Sequence, residues 1–376
     1  MNATTAKAYH APSMVNLTSP RNNKKNVTIA DIAQAAGVSK TTVSRYLNGK
    51  YSMMSPDTRT RIETVIRMTN YRPNSIAQSL RGSSSKQIGV VVSDIASPFS
   101  ASMVRAIGHT LLDQGYVPLF VDSKNNPDLE QHLIQTLLSR KVDGLIVNTS
   151  SYINPSLIRI ACEGIPMVLC DRYVSDYTFP FVGCRHQDAV TAAILHLKEE
   201  GFSKVAFFTP EYSDNSTRFN RRNAYLEAIK ANFPGKNGED LTYVLDLSDH
   251  RKTAKCIRHL LSTCAPGEVP AIMGVNSVTC THIMAVLDGM GLSMPGDLGL
   301  CGPDDWGWDF QYSISIMQTA KMTAFNVNPA KIGSIAAEML LQLIQDPEAG
   351  KPNILLPMDL VIRDSTRLRK FRGLQP

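Results

Sequence analysis

Residues 38–49 read VSKTTVSRYLNG. Ser39, Lys40, Thr41, Thr42, Ser44 and Arg45 load this stretch with hydroxyl, ammonium and guanidinium groups, and little more than Val43 and Leu47 opposes them. The major groove of a DNA duplex presents acceptors on guanine and a methyl group on thymine. Lys40 or Arg45 can donate to guanine, and Thr41 can hydrogen-bond or touch a thymine methyl. Thr28, Ser44 and the amides at helix N-termini can hold phosphates. A segment this short and polar forms no stable helix alone, so neighbours must pack its narrow apolar stripe.

Those neighbours can be read on either side. Thr28 opens TIADIAQAA with Asp31 three residues on, a capping-box spacing, and Ile29, Ile32, Ala33 and Ala36 recur at helical intervals. Gly37 ends this first helix with a tight turn. Ser39 caps the second, with Thr42 three residues later. Ser55 and Pro56 start a third, whose apolar face is Ile62, Val65 and Ile66, closed by Tyr71. Two short helices joined by a glycine turn make a helix-turn-helix. A generic three-helix protein-interaction module is the plainer alternative. In RPNSIAQSLRGSSSK, residues 72–86, Asn74 can cap a short helix with Ala77 and Leu80 on one side, before a Gly/Ser linker. Leu80 either packs on the body or wedges between base pairs in a minor groove.

The chain has 376 residues and net charge +6, unevenly placed. Residues 1–85 carry twelve Lys/Arg and three acids, leaving +9 there and −3 in the remainder. A basic block on a slightly acidic body is the electrostatic footprint of nucleic-acid binding. Residues 1–25 read as a disordered basic arm without the apolar core of a secretory signal. No apolar run reaches the ~18 residues that span a bilayer, so no membrane partner and a cytoplasmic location are expected. Seven cysteines without C-x-x-C spacing predict reduced thiols and neither a disulfide scaffold nor a metal site. No G-x-x-x-x-G-K-S/T, H-E-x-x-H, G-x-S-x-G or G-x-G-x-x-G occurs, so no enzyme and no cofactor are expected.

From residue 87 onward, short apolar runs alternate with helical stretches. Strands are predicted at 88–94, 117–123, 144–150, 166–171, 204–210, 243–247, 271–276 and 298–305. Helical patterns fall between them, at 127–140, 187–200 and 218–231 for example. This alternation predicts an α/β body of parallel sheets, and its length suits two lobes better than one. Ligands bind outside the carboxyl ends of such strands. The polar residues there are Asp94 near Phe99, then Asp171, Arg172, Arg185, Arg221, Asn276 and Asp304. Carboxylates and amides accept from hydroxyls, and arginine grips oxygen anions. Arg172, Arg185 and Arg221 are expected to converge, which points to an anionic effector such as a gluconate or ketogluconate derivative. Trp306 or Trp308 can stack on a sugar ring.

VTIADIAQAAGVSKTTVSRYLNG followed by NYRPNSIAQSL resembles the lactose-repressor (LacI/GalR) family of bacterial transcription regulators, with the resemblance running from about residue 26 to the end. It implies that Lys40 and Thr41 sit where the family reads bases, that Arg45 is the arginine of its reading helix, and that Leu80 is its hinge leucine. It implies an N-terminal all-α helix-turn-helix headpiece at 26–73, a hinge helix and linker at 74–86, and a two-lobed periplasmic-binding-protein-like body at 87–376. The lobes are expected at about 87–185 with 315–347, and 186–314 with 348–376. The family's ligand arginine, cleft asparagine and cleft aspartate match Arg221, Asn276 and Asp304, and Asp94 and Phe99 fit its pattern after the first strand. Departures are Ala224 for a glycine, Ser277 for an acid, Pro303 for an aromatic, and Arg185–His186 where Asp-Asn is usual. The implied function is a homodimeric transcriptional regulator, most often a repressor, that reads an inverted-repeat operator under control of a small-molecule effector. A secreted-type solute-binding protein or an enzyme on the same architecture are the rival readings.

Overall fold

The computed structural model describes residues 27–47, 49–69, 71, 84–303 and 321–373. The expected arm at 1–25, and Asn74, Ala77, Leu80, Asp304 and Trp306, lie outside the described residues. The chain divides into two compact units, Met1–Ser83 and Ser84–Pro376.

The first unit contains α1 (Ile29–Ala36), α2 (Lys40–Leu47), a short 3₁₀ turn at Tyr51–Met53, and α3 (Pro56–Thr69). The capping box forms: Asp31 N donates to Thr28 Oγ1 (3.3 Å) and Thr28 N to Asp31 Oδ2 (2.8 Å). Gly37 closes α1 in the left-handed region at φ 65°, where a β-carbon would be strained. Ser39 Oγ accepts from Thr42 N at 3.1 Å, and Ser55 Oγ from Thr58 N at 3.2 Å. Ile32, Ala33, Ala36, Val43 and Ile62 form the buried centre, rimmed by Tyr46, Leu47, Val65, Ile66 and Tyr71. Val43 is the sole fully buried residue of α2, so α1 and α3 hold that helix by one narrow stripe, as its composition requires.

The second unit begins with β1 (Gln87–Val92), α4 (Pro98–Asp113), β2 (Val117–Asp122), α5 (Pro127–Ser139), β3 (Gly144–Val147), α6 (Pro155–Cys162), β4 (Met167–Cys170) and β5 (Phe181–Cys184). It continues with α7 (His186–Glu199), β6 (Val205–Thr209), α8 (Ser216–Asn232), β7 (Thr242–Val244), α9 (His250–Ser262), β8 (Ala271–Gly274), α10 (Ser277–Met290) and β9 (Gly299–Pro303). Last come β10 (Thr323–Asn326), α11 (Pro329–Gln345), β11 (Asn353–Leu356), β12 (Asp359–Val361) and α12 (Leu368–Phe371).

Two six-stranded sheets result, in the orders β2-β1-β3-β4-β5-β11 and β7-β6-β8-β9-β10-β12. All described pairings are parallel except β10 with β12. Continuous burial of β1, β3, β4, β6, β8 and β9 follows from helices on both faces. The chain crosses between lobes after β5, β10 and β11. This corrects the expected lobe boundaries. Thr323–Asn326, placed by expectation with the first lobe, pairs with β9 of the second. Asn353–Leu356, placed with the second, extends the first sheet beside β5. α11 returns to pack on α4, so the exchange happens one strand later than the spacing suggests.

Candidate functional site

In the headpiece, Thr28, Ser39, Lys40, Thr41 and Arg45 are exposed, and Thr42 and Ser44 half-buried. Thr41 and Arg45, four residues apart, lie on the side of α2 opposite Val43, and Lys40 and Ser44, also four apart, form the flank beside it. The oxygens of Thr28 and Ser39 are engaged as helix caps, which presents the first-turn amides of α1 and α2 beside them. The result is a rigid, polar, cation-bearing helix face with a packed back.

In the body, the carboxyl ends of both sheets face each other across a cleft of about 260 Å³. Lobe 1 contributes Asp94, Phe99, Asn125, Asn148, Asp171 and Arg172; lobe 2 contributes Asn215, Thr217, Arg218, Arg221 and Asn276. Each charged group is held. Arg172 donates to Asn125 Oδ1 (3.0 Å) and to the Thr149 carbonyl (3.2 Å), and lies 4.0 Å from Asp171. Asp171 adopts φ 61°, a left-handed conformation that costs a non-glycine residue energy. Asn148, buried, donates to Asp171 Oδ2 (3.2 Å) and accepts from Ser93 Oγ (2.6 Å). Arg221, 5% exposed, donates from its Nη1 to the Val275 carbonyl at 2.8 Å and from Nε to His186 Nδ1 at 3.4 Å. Asn276 caps α10 through its carboxamide oxygen, which leaves its amide nitrogen to donate into the cleft.

Among the described lining residues the charged groups are three guanidiniums, Arg172, Arg218 and Arg221, and two carboxylates, Asp94 and Asp171. Burial, then the charges of Arg172 and Arg221, push Arg218 down from 12.5 to about 10. Burial also lowers Arg172, against the pull of Asp171, Glu130 and Asp94. His186, buried and facing Arg221, is held well below 6.5 by both, so it stays neutral and accepts. Behind the lobe 1 wall, buried Glu130 accepts from Ser150 N (2.6 Å), Thr149 Oγ1 (2.9 Å) and Asn154 Nδ2 (2.8 Å). Burial nonetheless raises its pKa.

One edge of the cleft is strapped shut by bonds between lobes. Thr217 Oγ1 donates to the Asp171 carbonyl (2.9 Å), Tyr173 Oη to Asn220 Oδ1 (2.9 Å) and Ser151 Oγ to Asp214 Oδ1 (2.6 Å). Tyr152 stacks on Phe219 with ring centroids 5.8 Å apart.

Asp94, Phe99, Asp171, Arg172, Arg221 and Asn276 therefore gather as expected, but Arg185 does not join them. It follows β5 with its amide bonded to the Leu356 carbonyl, so strand alternation puts its side chain on the face of Phe181 and Gly183. It lines a separate groove there. Arg218 takes the third cationic place instead. The signal for it was present: Asn215 caps α8 by accepting from Arg218 N at 3.0 Å, and Arg218 stands three residues before Arg221, on one helix face.

Residues 28–74 match the family described as bacterial regulatory proteins, lacI family, and residues 85–364 match the periplasmic binding proteins and sugar binding domain of the LacI family. The chain belongs to the LacI family. It is a DNA-binding transcriptional regulator with a sugar-binding effector domain. Among similar LacI-family proteins, the HTH-type transcriptional regulator KdgR of Bacillus subtilis (strain 168) is 30% identical over 340 residues, 90% of this chain and 98% of the relative. PtxS of Pseudomonas aeruginosa is 30% identical over 347 residues, 92% of this chain and 98% of the relative. The fold is that of the lac repressor dimer bound to operator and the anti-inducer ONPF, with TM-score 0.73 at 24% identity over 91% of this chain and 99% of that one.

His186 gives this site a pH signature. Below 6.5 the unfolded chain binds a proton that the folded chain refuses, so His186 removes stability as pH falls, at up to about 1.4 kcal/mol per pH unit. His186→Asn abolishes that contribution. In urea unfolding, the stability of the parent relative to the variant is expected to drop between about pH 7.5 and about pH 5.5; a constant difference contradicts the assignment.

Proposed function

We propose that this regulator binds an inverted-repeat operator as a homodimer in the cytoplasm, acts by binding rather than catalysis, and represses transcription until a sugar acid of the gluconate or ketogluconate class enters the cleft. Lys40, Thr41 and Arg45 read base edges. Ser39, Thr42, Ser44, Thr28 and the neighbouring amides hold phosphates. Asn74, Ala77 and Leu80 form the hinge that wedges the operator centre. The lac repressor dimer on its operator supports the dimeric reading, since a two-fold protein matches a two-fold site.

The observation that carries the effector class is the cationic character of the cleft: among its described lining residues three guanidiniums, Arg172, Arg218 and Arg221, stand with two carboxylates. A carboxylate on the ligand can pair with Arg218, which donates from Nη1 to the Glu211 carbonyl and lines the cleft. Asp94, Asp171 and Asn276 then pair with its hydroxyls. The linker enters lobe 1 at a fixed point, because the Asp143 carboxylate accepts from Ser85 N (2.7 Å) and Lys86 N (3.0 Å). A shift of lobe 1 is thereby passed to the hinge.

Calorimetric titration with a panel of aldonates, 2-ketoaldonates and neutral hexoses is expected to give binding with the acids alone. Arg218→Ala should weaken the acid about 10- to 100-fold. Tight binding of a neutral hexose with inert aldonates overturns the effector class. Arg45→Ala should remove ~1–3 kcal/mol of preference for a selected operator over random duplex, read as the ratio of affinities in a filter or anisotropy assay at fixed salt; an unchanged ratio removes Arg45 from base reading.

A further inference from the structure

A second, larger concavity of about 1100 Å³ lies beside the effector cleft. One wall belongs to lobe 1: Tyr152, the Tyr173–Phe181 segment and the edge strand β11. The other belongs to lobe 2: the first turn of α7, with Asn220 and Asn223 of α8. The hollow depends on a glycine. Leu355 stands opposite Gly183 in the β5–β11 register, and a β-carbon on Gly183 would come within 2.5 Å of the Phe181 ring. The ring therefore lies back over the strand, in space that any side chain there would claim.

Groove and cleft share a wall one residue thick. Arg172 lines the cleft and Tyr173 the groove, while Asp171 lines both. On α8, Arg221 lines the cleft, and Asn220 and Asn223 line the groove. His186 lines the groove while its Nδ1 accepts from Arg221. A molecule in the groove thus touches the immediate neighbours of the cleft's cations.

The chemistry of the two cavities differs. The groove is lined by a single guanidinium, Arg185, and the carboxylates of Asp171, Asp176 and Asp188, so no surplus of positive charge exists among its described lining residues. The half-buried rings of Tyr152, Tyr173 and Tyr177 line it; Phe219 stacks on Tyr152 and Lys351 Nζ lies 4.2 Å over Tyr177, so the ring sides not covered in this way are the ones that suit the C–H faces of a sugar ring. The carboxamides of Asn220, Asn223 and Asn353 can both donate to and accept from hydroxyls. We infer that this groove is a second ligand site, for an uncharged oligosaccharide of two or three rings, distinct from the anion site of the cleft. Its size exceeds what one ring needs. Because its walls belong to different lobes, an occupant biases their arrangement and so changes affinity in the cleft, with reciprocal coupling.

Saturation-transfer NMR on the full-length protein tests this with maltose, cellobiose, lactose, sucrose and maltotriose at millimolar concentration. At least one sugar is expected to receive saturation from the parent and equally from Arg218→Ala, whose altered residue lines the cleft alone. The signal should weaken at least tenfold in Tyr177→Ala and in Asn223→Ala, the latter a helix-surface change that leaves the Tyr177 loop intact. No saturation with any sugar overturns the proposal. So does a signal lost in Arg218→Ala but kept in Asn223→Ala, which assigns the sugar to the cleft, or one indifferent to all three variants.

Discussion

Closing the two lobes sets Arg172 of one against Arg218 and Arg221 of the other. Guanidiniums do not release their protons at physiological pH, so like charges accumulate in a cavity that excludes much of the water. Burial first, and then the charges of Arg172 and Arg221, lower Arg218 to about 10. Asp94 and Asp171 offset part of the repulsion. On the proposed reading an anionic ligand would offset more, and the closed cleft would be most stable with an anion in it. That is the differential affinity a ligand needs to shift a conformational equilibrium. Much of the surrounding structure serves to aim these cations: the Val275 carbonyl and neutral His186 fix Arg221, the Glu211 carbonyl accepts from Arg218 at 2.7 Å, and Asn125 with the Thr149 carbonyl fixes Arg172.

The headpiece solves a separate problem with separate means. Its own small core, centred on Val43, Ile32 and Ile62, orients α2. Caps at Thr28, Ser39 and Ser55 satisfy helix starts that such short helices cannot leave open. An effector can then regulate the chain through the attachment of the headpiece alone, leaving the reading surface unaltered. The Asp143 clamp on Ser85 and Lys86 gives lobe 1 a firm grip on that attachment.

Much of this was legible in the chain, and the misses have physical causes. Three headpiece helices and their caps follow from local rules, since Thr28, Ser39 and Ser55 act on residues three positions away. Eight strands of the body announce themselves as apolar runs, six of them, β1, β3, β4, β6, β8 and β9, buried on both faces. Phe181–Cys184, Thr323–Asn326, Asn353–Leu356 and Asp359–Val361 do not. The two edge strands, Asn353–Leu356 and Asp359–Val361, are only partly buried, and all four belong to the crossover region, where strand does not alternate regularly with helix as it does earlier in the chain. The lobe boundaries were misplaced with them, since β10 and β11 each lie next to a crossover. Arg185 was misassigned because its position beside a strand end looked like that of Arg172, whereas alternation along β5 turns it to the opposite face. Arg218 was overlooked because it precedes the motif arginine, although its helical spacing from Arg221 put both on one face.

The central claim is that an anion in the cleft and a duplex on the headpiece compete for, or cooperate over, one conformational equilibrium. Thermodynamic linkage makes this measurable without knowing the sign. With a duplex selected from random sequence, operator affinity is measured by anisotropy with and without saturating aldonate, and aldonate affinity by calorimetry with and without saturating duplex. The account predicts that both affinities change by one and the same factor, on the order of 5- to 150-fold. An operator affinity indifferent to an aldonate that demonstrably occupies the cleft contradicts it.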